Sequence, residues 1–243
     1  MRALSAVDVL NAWEDGSPKP LAERALKLME LVCPETSRDD LGSLSIGQRD
    51  GILLGLREGL FGTSLAAVVV CPGCGERLDL SFDVREIRSS AQEPKGEVCL
   101  DIAGYDLRFR LVNTADAIAA SRQADMDEIR ELLLQRCLLS ANRGAISIES
   151  SEIPSDVAEL AVQQMAEADP MADIQLAIAC PSCEQHWTAA LDIVSFLWSE
   201  IEAWAWRALS EVHTLASVYG WTEREILSLS PDRRQCYLQM VGA

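Results

Sequence analysis

The chain reads as an α+β protein built around a split four-cysteine zinc ribbon, with an inserted hairpin and helices, flanked by helices at both ends. Two observations lead to that class. A short pattern occurs twice: Val69-Val-Cys71-Pro-Gly-Cys74 running to Asp83-Val84, and Ile178-Ala-Cys180-Pro-Ser-Cys183 running to Asp192-Ile193. In each copy an apolar run enters a Cys-x-x-Cys turn, and Asp with a β-branched residue follows nine positions after the second cysteine. Apart from these copies, helical spacing with capping signatures marks both ends of the chain, and strand alternation marks its middle.

A Cys-x-x-Cys turn presents two thiolates, whereas zinc takes four ligands in a tetrahedron. Cys71, Cys74, Cys180 and Cys183 together complete one such site, a single structural Zn2+ per chain. The gap between the pairs far exceeds the 15 to 20 residues common in zinc motifs. A redox Cys-x-x-Cys or thiols that merely pack are the competing readings. A thioredoxin-like site needs only one motif, at the start of a helix in a βαβ unit, which fits two matched copies poorly. His186 lies three positions after Cys183 and reads as an exposed knuckle residue. Cys33, Cys99, Cys137 and Cys236 read as small core residues.

Residues 5–14 and 20–32 have amphipathic helical spacing, the second through Leu21, Ala25, Leu28, Met29 and Val32. Ser45-x-x-Gln48 is a capping box, in which the serine oxygen meets the third helical N–H and the glutamine reaches back. The helix it opens carries Ile52, Leu53, Leu56 and Leu60 and stops at Gly62. Segments 65–71 and 78–84 alternate as strands around the first knuckle. Residues 88–96 have loop composition. Val98, Leu100, Ile102, then Leu107, Phe109 and Leu111 alternate about Gly104 as a hairpin.

Asn113 or Thr114 caps a short helix, 125–139 is a stronger one, and Ser155 reads as the cap of another, ended by Asp169-Pro170. Residues 174–179 re-enter as a strand. The division expected is 1–62 helical, 63–87 with 172–194 forming the ribbon, 88–171 inserted, and 195–243 a helical tail.

In the tail, a helix to Tyr219 places Ile201, Trp204, Leu209, Val212 and Leu215 inward. It places Glu200, Glu202, Arg207 and Glu211 outward. His213 falls on the apolar side as a packed histidine. Thr222-x-x-Glu225 and Ser230-Pro231 start two further helices. Four of the six tryptophans lie here. Trp206 sits off the apolar stripe. Trp206, Trp221, Arg233 and Arg234 are the expected partner-binding residues, since aromatic and arginine anchors dominate protein interfaces.

The net charge of −17, from 38 acidic and 21 basic side chains, disfavours direct nucleic-acid contact, which needs basic faces to displace phosphate counterions. No apolar stretch reaches the length of a membrane span, and no signal-peptide layout opens the sequence. The expected location is the cytoplasm or a particle assembled there. No Ser-His-Asp set, phosphate loop or open metal site appears, so no enzyme activity is expected.

Several strings carry a resemblance: Leu44 to Arg57 (LSIGQRDGILLGLR), Phe61-Gly62, Phe196 to Glu200 (FLWSE), His213 to Glu223 (HTLASVYGWTE), Ile226-Leu and Arg233-Arg. In this order around the paired knuckles, from about residue 41 to the end, the chain resembles the T-even phage baseplate family. That family includes baseplate hub assembly proteins of contractile-tailed phages and relatives in contractile injection gene clusters. The resemblance implies an assembly chaperone or structural subunit whose partners are other baseplate or tail proteins. The alternative class is a zinc-ribbon adapter in a nucleic-acid complex that touches proteins and leaves the strand alone.

Overall fold

The computed structural model describes residues 4–90, 94 and 96–242. The chain runs α1 (Ala6–Gly16), α2 (Leu21–Val32), α3 (Arg38–Ser43) and α4 (Ile46–Phe61), then strands β1 (Ser64–Val70) and β2 (Arg77–Asp83), and α5 (Val84–Ser90). The inserted segment follows as β3 (Glu97–Ile102), β4 (Tyr105–Arg110), α6 (Thr114–Ala120), α7 (Met126–Cys137), β5 (Leu138–Arg143), β6 (Ile146–Ser147) and α8 (Ser155–Ala168). It returns through β7 (Gln175–Ala179) and β8 (His186–Ala190) to α9 (Ile193–Tyr219), α10 (Glu223–Ser228) and α11 (Pro231–Val241). Among the described residues no helix is long and apolar enough to cross a membrane.

Helices α1, α2, α4 and α9 enclose the main core, where Leu28, Met29, Leu53, Leu54, Leu197 and Ile201 are buried together. The expected capping box forms at Ser45, whose Oγ accepts from Gln48 N while Gln48 Oε1 accepts from Ser45 N. Arg57 of α4 donates to both carboxylate oxygens of Glu200 in α9, at 2.9 and 2.8 Å, and to Gly62 O. Glu200 therefore faces inward, against the expectation from its charge. Glu211 does the same, accepting from the buried Arg234. Successive stretches of α9 pack on the main core, then on Leu10 of α1, then on Ile226 and Leu238.

The inserted segment has its own sheet, order β3-β4-β5-β6, all antiparallel. The β3–β4 hairpin turns at Ala103-Gly104, both with positive φ. Strands β5 and β6 were not expected: the helix read over 125–139 ends at Cys137, and the chain turns into strand at Leu138. Helix α8 covers the sheet, burying Val157 and Ala161 against Leu107 and Phe109. Its N-cap is Pro154, so Ser155 is the first helical residue and makes no cap. Asn113 does cap α6, exchanging bonds with Asp116.

Asp116 is fully buried and is held by Arg110 and Arg136, with Nη2 of the former at 2.9 Å and Nε of the latter at 2.7 Å. Burial alone raises this carboxyl's pKa, but the two guanidiniums outweigh it and hold it below the usual range. Two further expectations are corrected. The loop composition of 88–96 gives way at its start, where α5 extends to Ser90; 91–93 and 95 lie outside the described residues. Of the four remaining cysteines only Cys137 is buried, Cys33 is half-buried, and Cys99 and Cys236 are exposed.

Candidate metal centre

Both Cys-x-x-Cys turns sit at the tips of two-stranded hairpins, β1–β2 and β7–β8. The backbone builds them identically. Cys71 N donates to Glu76 O at 2.8 Å and Gly75 N to Cys71 O at 3.0 Å. At the second tip Cys180 N donates to Gln185 O at 2.9 Å and Glu184 N to Cys180 O at 3.0 Å. The fourth residue after each leading cysteine takes a positive φ, 76° at Gly75 and 58° at Glu184. The leading cysteine of each pair is buried and the trailing one exposed.

The two tips meet. Cys71 Sγ lies 3.6 Å from Cys183 Sγ and Cys74 Sγ lies 3.7 Å from Cys180 Sγ. All four sulfurs fall within 4.8 Å of one another, a grouping able to hold a metal ion. These separations are far beyond the ~2.05 Å of a disulfide, and all four cysteines are free. The neighbouring thiols divide their protons unequally. Burial pushes the Cys71 thiol up, but the Cys74 and Gly73 N–H groups with the Cys183 and Cys74 thiols outweigh it and bring it to about 7. The Glu76 N–H pulls Cys74 down, yet Cys183, burial, Cys180 and Cys71 push it to about 12. Four thiolates this close repel unless a cation or protons lie among them.

The hairpins also join the body equivalently. Val84, which follows Asp83, and Ile193, which follows Asp192, are both fully buried in the main core. Each aspartate begins a helix. Asp83 accepts from Arg85 N at 2.8 Å, and Asp192 accepts from Val194 N and Ser195 N. Arg85 also grips Asp83 through its side chain, holding that carboxyl down at about 2.

Residues 6–198 match the family model described as T4 bacteriophage base plate protein. The chain belongs to that family. No curated protein and no solved structure matches it. Membership supports a structural role in a phage base plate. The base plate match begins earlier than the resemblance read from the sequence and ends at Trp198, so the strings from His213 onward lie outside it. It contains both knuckles and the whole inserted segment.

The four tail residues expected to bind partners differ in exposure. Trp206 is 61% exposed, with its ring edge-on to Trp13 at 5.6 Å. Trp221 is half-buried and stacks on Tyr219 at 4.6 Å. Arg233 is exposed. Arg234 is 5% exposed and is bound to Glu211 and Leu229 O, so it braces α11 on α9 and presents no charge to a partner. His213 and His186 are both exposed, which reverses the packed reading of His213. The Arg57–Glu200 and Arg234–Glu211 pairs were missed because each crosses more than twenty residues of sequence and leaves no periodic trace.

Proposed function

We propose that the chain is a non-enzymatic structural or assembly component of a contractile-tail or injection-system base plate, with one zinc ion tying its two knuckle hairpins together. The observation that carries this reading is the convergence of Cys71, Cys74, Cys180 and Cys183, all inside the span that matches the base plate family. The sulfur separations fit the ion: zinc–thiolate bonds of about 2.3 Å give a tetrahedron with edges of about 3.8 Å. A zinc ligated by four thiolates has no open position, so it fixes structure and activates no water. On this reading 63–87 and 172–194 form a split zinc ribbon, between the 1–62 and 195–243 helical segments, and 88–171 is an insertion into it. Other base plate proteins are the partners, reached in the tail through Trp206, Trp221 and Arg233. The protein works in the cytoplasm or in the particle assembled there.

Purified protein should contain about one zinc per chain, and it should co-purify with base plate or tail proteins expressed from the same locus. Metal content near zero removes the zinc. Co-purification with the protein subunits of a nucleic-acid complex, and with no base plate or tail protein, replaces the base plate role with the nucleic-acid adapter.

A further inference from the structure

Two sulfur–sulfur contacts at the cysteine centre run across the hairpins, Cys71 to Cys183 at 3.6 Å and Cys74 to Cys180 at 3.7 Å. The second tip seats on the first: a Cβ on Gly73 would lie 3.5 Å from Cys183 Sγ and from Cβ of Gln185. Each contact joins a buried leading cysteine of one hairpin to an exposed trailing cysteine of the other.

Thiols so placed have a second chemistry besides metal binding. A peroxide oxidises a solvent-reached thiolate to a sulfenic acid, and a neighbouring thiolate condenses with it to a disulfide. Cys74 and Cys183 are the sulfurs that solvent reaches, and each has a buried sulfur of the opposite hairpin beside it. Shortening 3.6 Å to the ~2.05 Å of a disulfide moves each sulfur by about 0.8 Å, within the reach of side-chain rotation. The knuckle backbones need not move, since Cys71 and Cys180 keep both their N–H and C=O bonded within their own turns.

We infer that the centre is a redox-convertible staple, in which hydrogen peroxide closes Cys71–Cys183 and Cys74–Cys180 and so keeps the hairpin tips tied after the ion is lost. This rests on the four-sulfur site read above as the zinc centre of a base plate protein. Each closure forms one S–S bond: two thiolates give up one electron each, the O–O bond of one peroxide breaks, and its oxygens leave as two hydroxides. Two peroxides per chain thus oxidise all four thiolates, break the four zinc–sulfur bonds and release Zn2+. Thiols persist in a reducing cytoplasm, whereas a particle that leaves the cell meets oxidising surroundings. Tips held by metal during assembly are then held by covalent bonds.

The test uses the full-length protein with Cys99→Ser and Cys236→Ser, which remove the two exposed thiols outside the centre. Zinc is counted first, hydrogen peroxide is added in steps, remaining thiols are blocked with iodoacetamide, and the digest is mapped by mass spectrometry. Zinc should leave in step with disulfide formation, and the mass of the denatured chain should fall by about 4 Da, four hydrogens. Fragment spectra should link Cys71 to Cys183 and Cys74 to Cys180. Hydrogen exchange in 64–83 and 175–190 should stay slow in the oxidised protein and become about tenfold faster or more in reduced protein stripped by a chelator.

Any other pairing among the four cysteines, whether within a knuckle or between the two buried ones, overturns the inference. So does zinc retained in excess peroxide, oxidation to sulfinic or sulfonic acid without a link between the hairpins, or exchange as fast in the oxidised protein as in the stripped one. Protein that holds no zinc yet links its hairpins refutes the metal and leaves the staple standing. Zinc-loaded protein that fails to link refutes the staple alone.

Discussion

The knuckle hairpins and the helical body are held by different physics. In the body, long helices bury leucine and methionine against one another and lock charged groups into the seams. The hairpins have almost no core of their own: in β1 only Leu65 is buried, and Val68 and Val70 stand 54% and 60% exposed. A two-stranded hairpin is marginal in water by itself. What joins β1–β2 to β7–β8 at their tips is sulfur, while Val84 and Ile193 anchor their bases. A fault at the tips should therefore stay local, and a fault in the body should leave the tips' chemistry intact.

The largest expected effect tests the first half of that contrast. On the proposed zinc centre, Cys74→Ser or Cys183→Ser takes away one of the four thiolates and should lose most of the metal, whose binding contributes on the order of 10 kcal/mol to folding. By hydrogen exchange, protection should fall in 64–83 and 175–190, while the amides of α2, α4 and the first half of α9 stay protected. Loss of protection throughout would erase the distinction between stapled and packed regions. Full zinc retention in either variant would show that the four sulfurs do not share an ion.

The second effect tests the other half. Arg57 is 3% exposed and holds both oxygens of Glu200 from a position 143 residues away. Arg57→Ala leaves that carboxylate partly buried without its partner and should cost about 3 kcal/mol in denaturant titration. Zinc content should not change. A parallel loss of zinc would mean that the seam between α4 and α9 sets the spacing of the tips.

The legible parts of the fold are those written in adjacent residues. Ser45 with Gln48, Asn113 with Asp116 and the alternation around Gly104 specify their own local geometry, and the structure follows them. The repeated cysteine spacing likewise singled out the residues that cluster. Two kinds of feature escaped. Leu138 and Leu139 extend an apolar helical pattern, yet β5 starts there because Leu138 and Ala141 pair with Phe109 and Leu107 of the neighbouring strand. Glu200, Glu211 and Arg234 read as solvent-facing charges, since the partner that makes burial affordable lies far along the chain.

The third effect lies at the junction of the two regions. Asp50 of α4 is buried beside Arg49, near Asp192 at the base of the second hairpin and near Asp169. Burial raises its carboxyl; Arg49 lowers it, Asp192 and Asp169 raise it further, and the result is about 6. An acid whose pKa is higher folded than unfolded takes up a proton on folding. Its cost is present at pH 7 and is relieved as the pH falls through 6 toward 4. Between pH 7 and 5 the gain is about 1 kcal/mol. Asp50→Asn should flatten that part of the stability profile, measured as the difference between variant and wild type so that acid effects on the thiols cancel. An unchanged difference would mean that Asp50 is ionised at neutral pH without penalty.

The smallest effect compares the two knuckles directly. Gly75 and Glu184 occupy the same backbone position, each donating its N–H to the leading cysteine's carbonyl at positive φ. Glycine takes that conformation freely, whereas a residue with a Cβ is strained by about 1 to 2 kcal/mol. Glu184→Gly should relieve the strain but gives the unfolded chain more freedom, about 0.4 to 1 kcal/mol, so the net gain lies between about 0 and about 1.6 kcal/mol. Gly75→Ala should lose a similar amount, and for conformational reasons alone, since a Cβ there meets nothing within 4 Å. Thermal unfolding of the zinc-loaded variants should move in opposite directions. A destabilised Glu184→Gly would show that the second knuckle uses its glutamate side chain, and that the two tips are alike in backbone only.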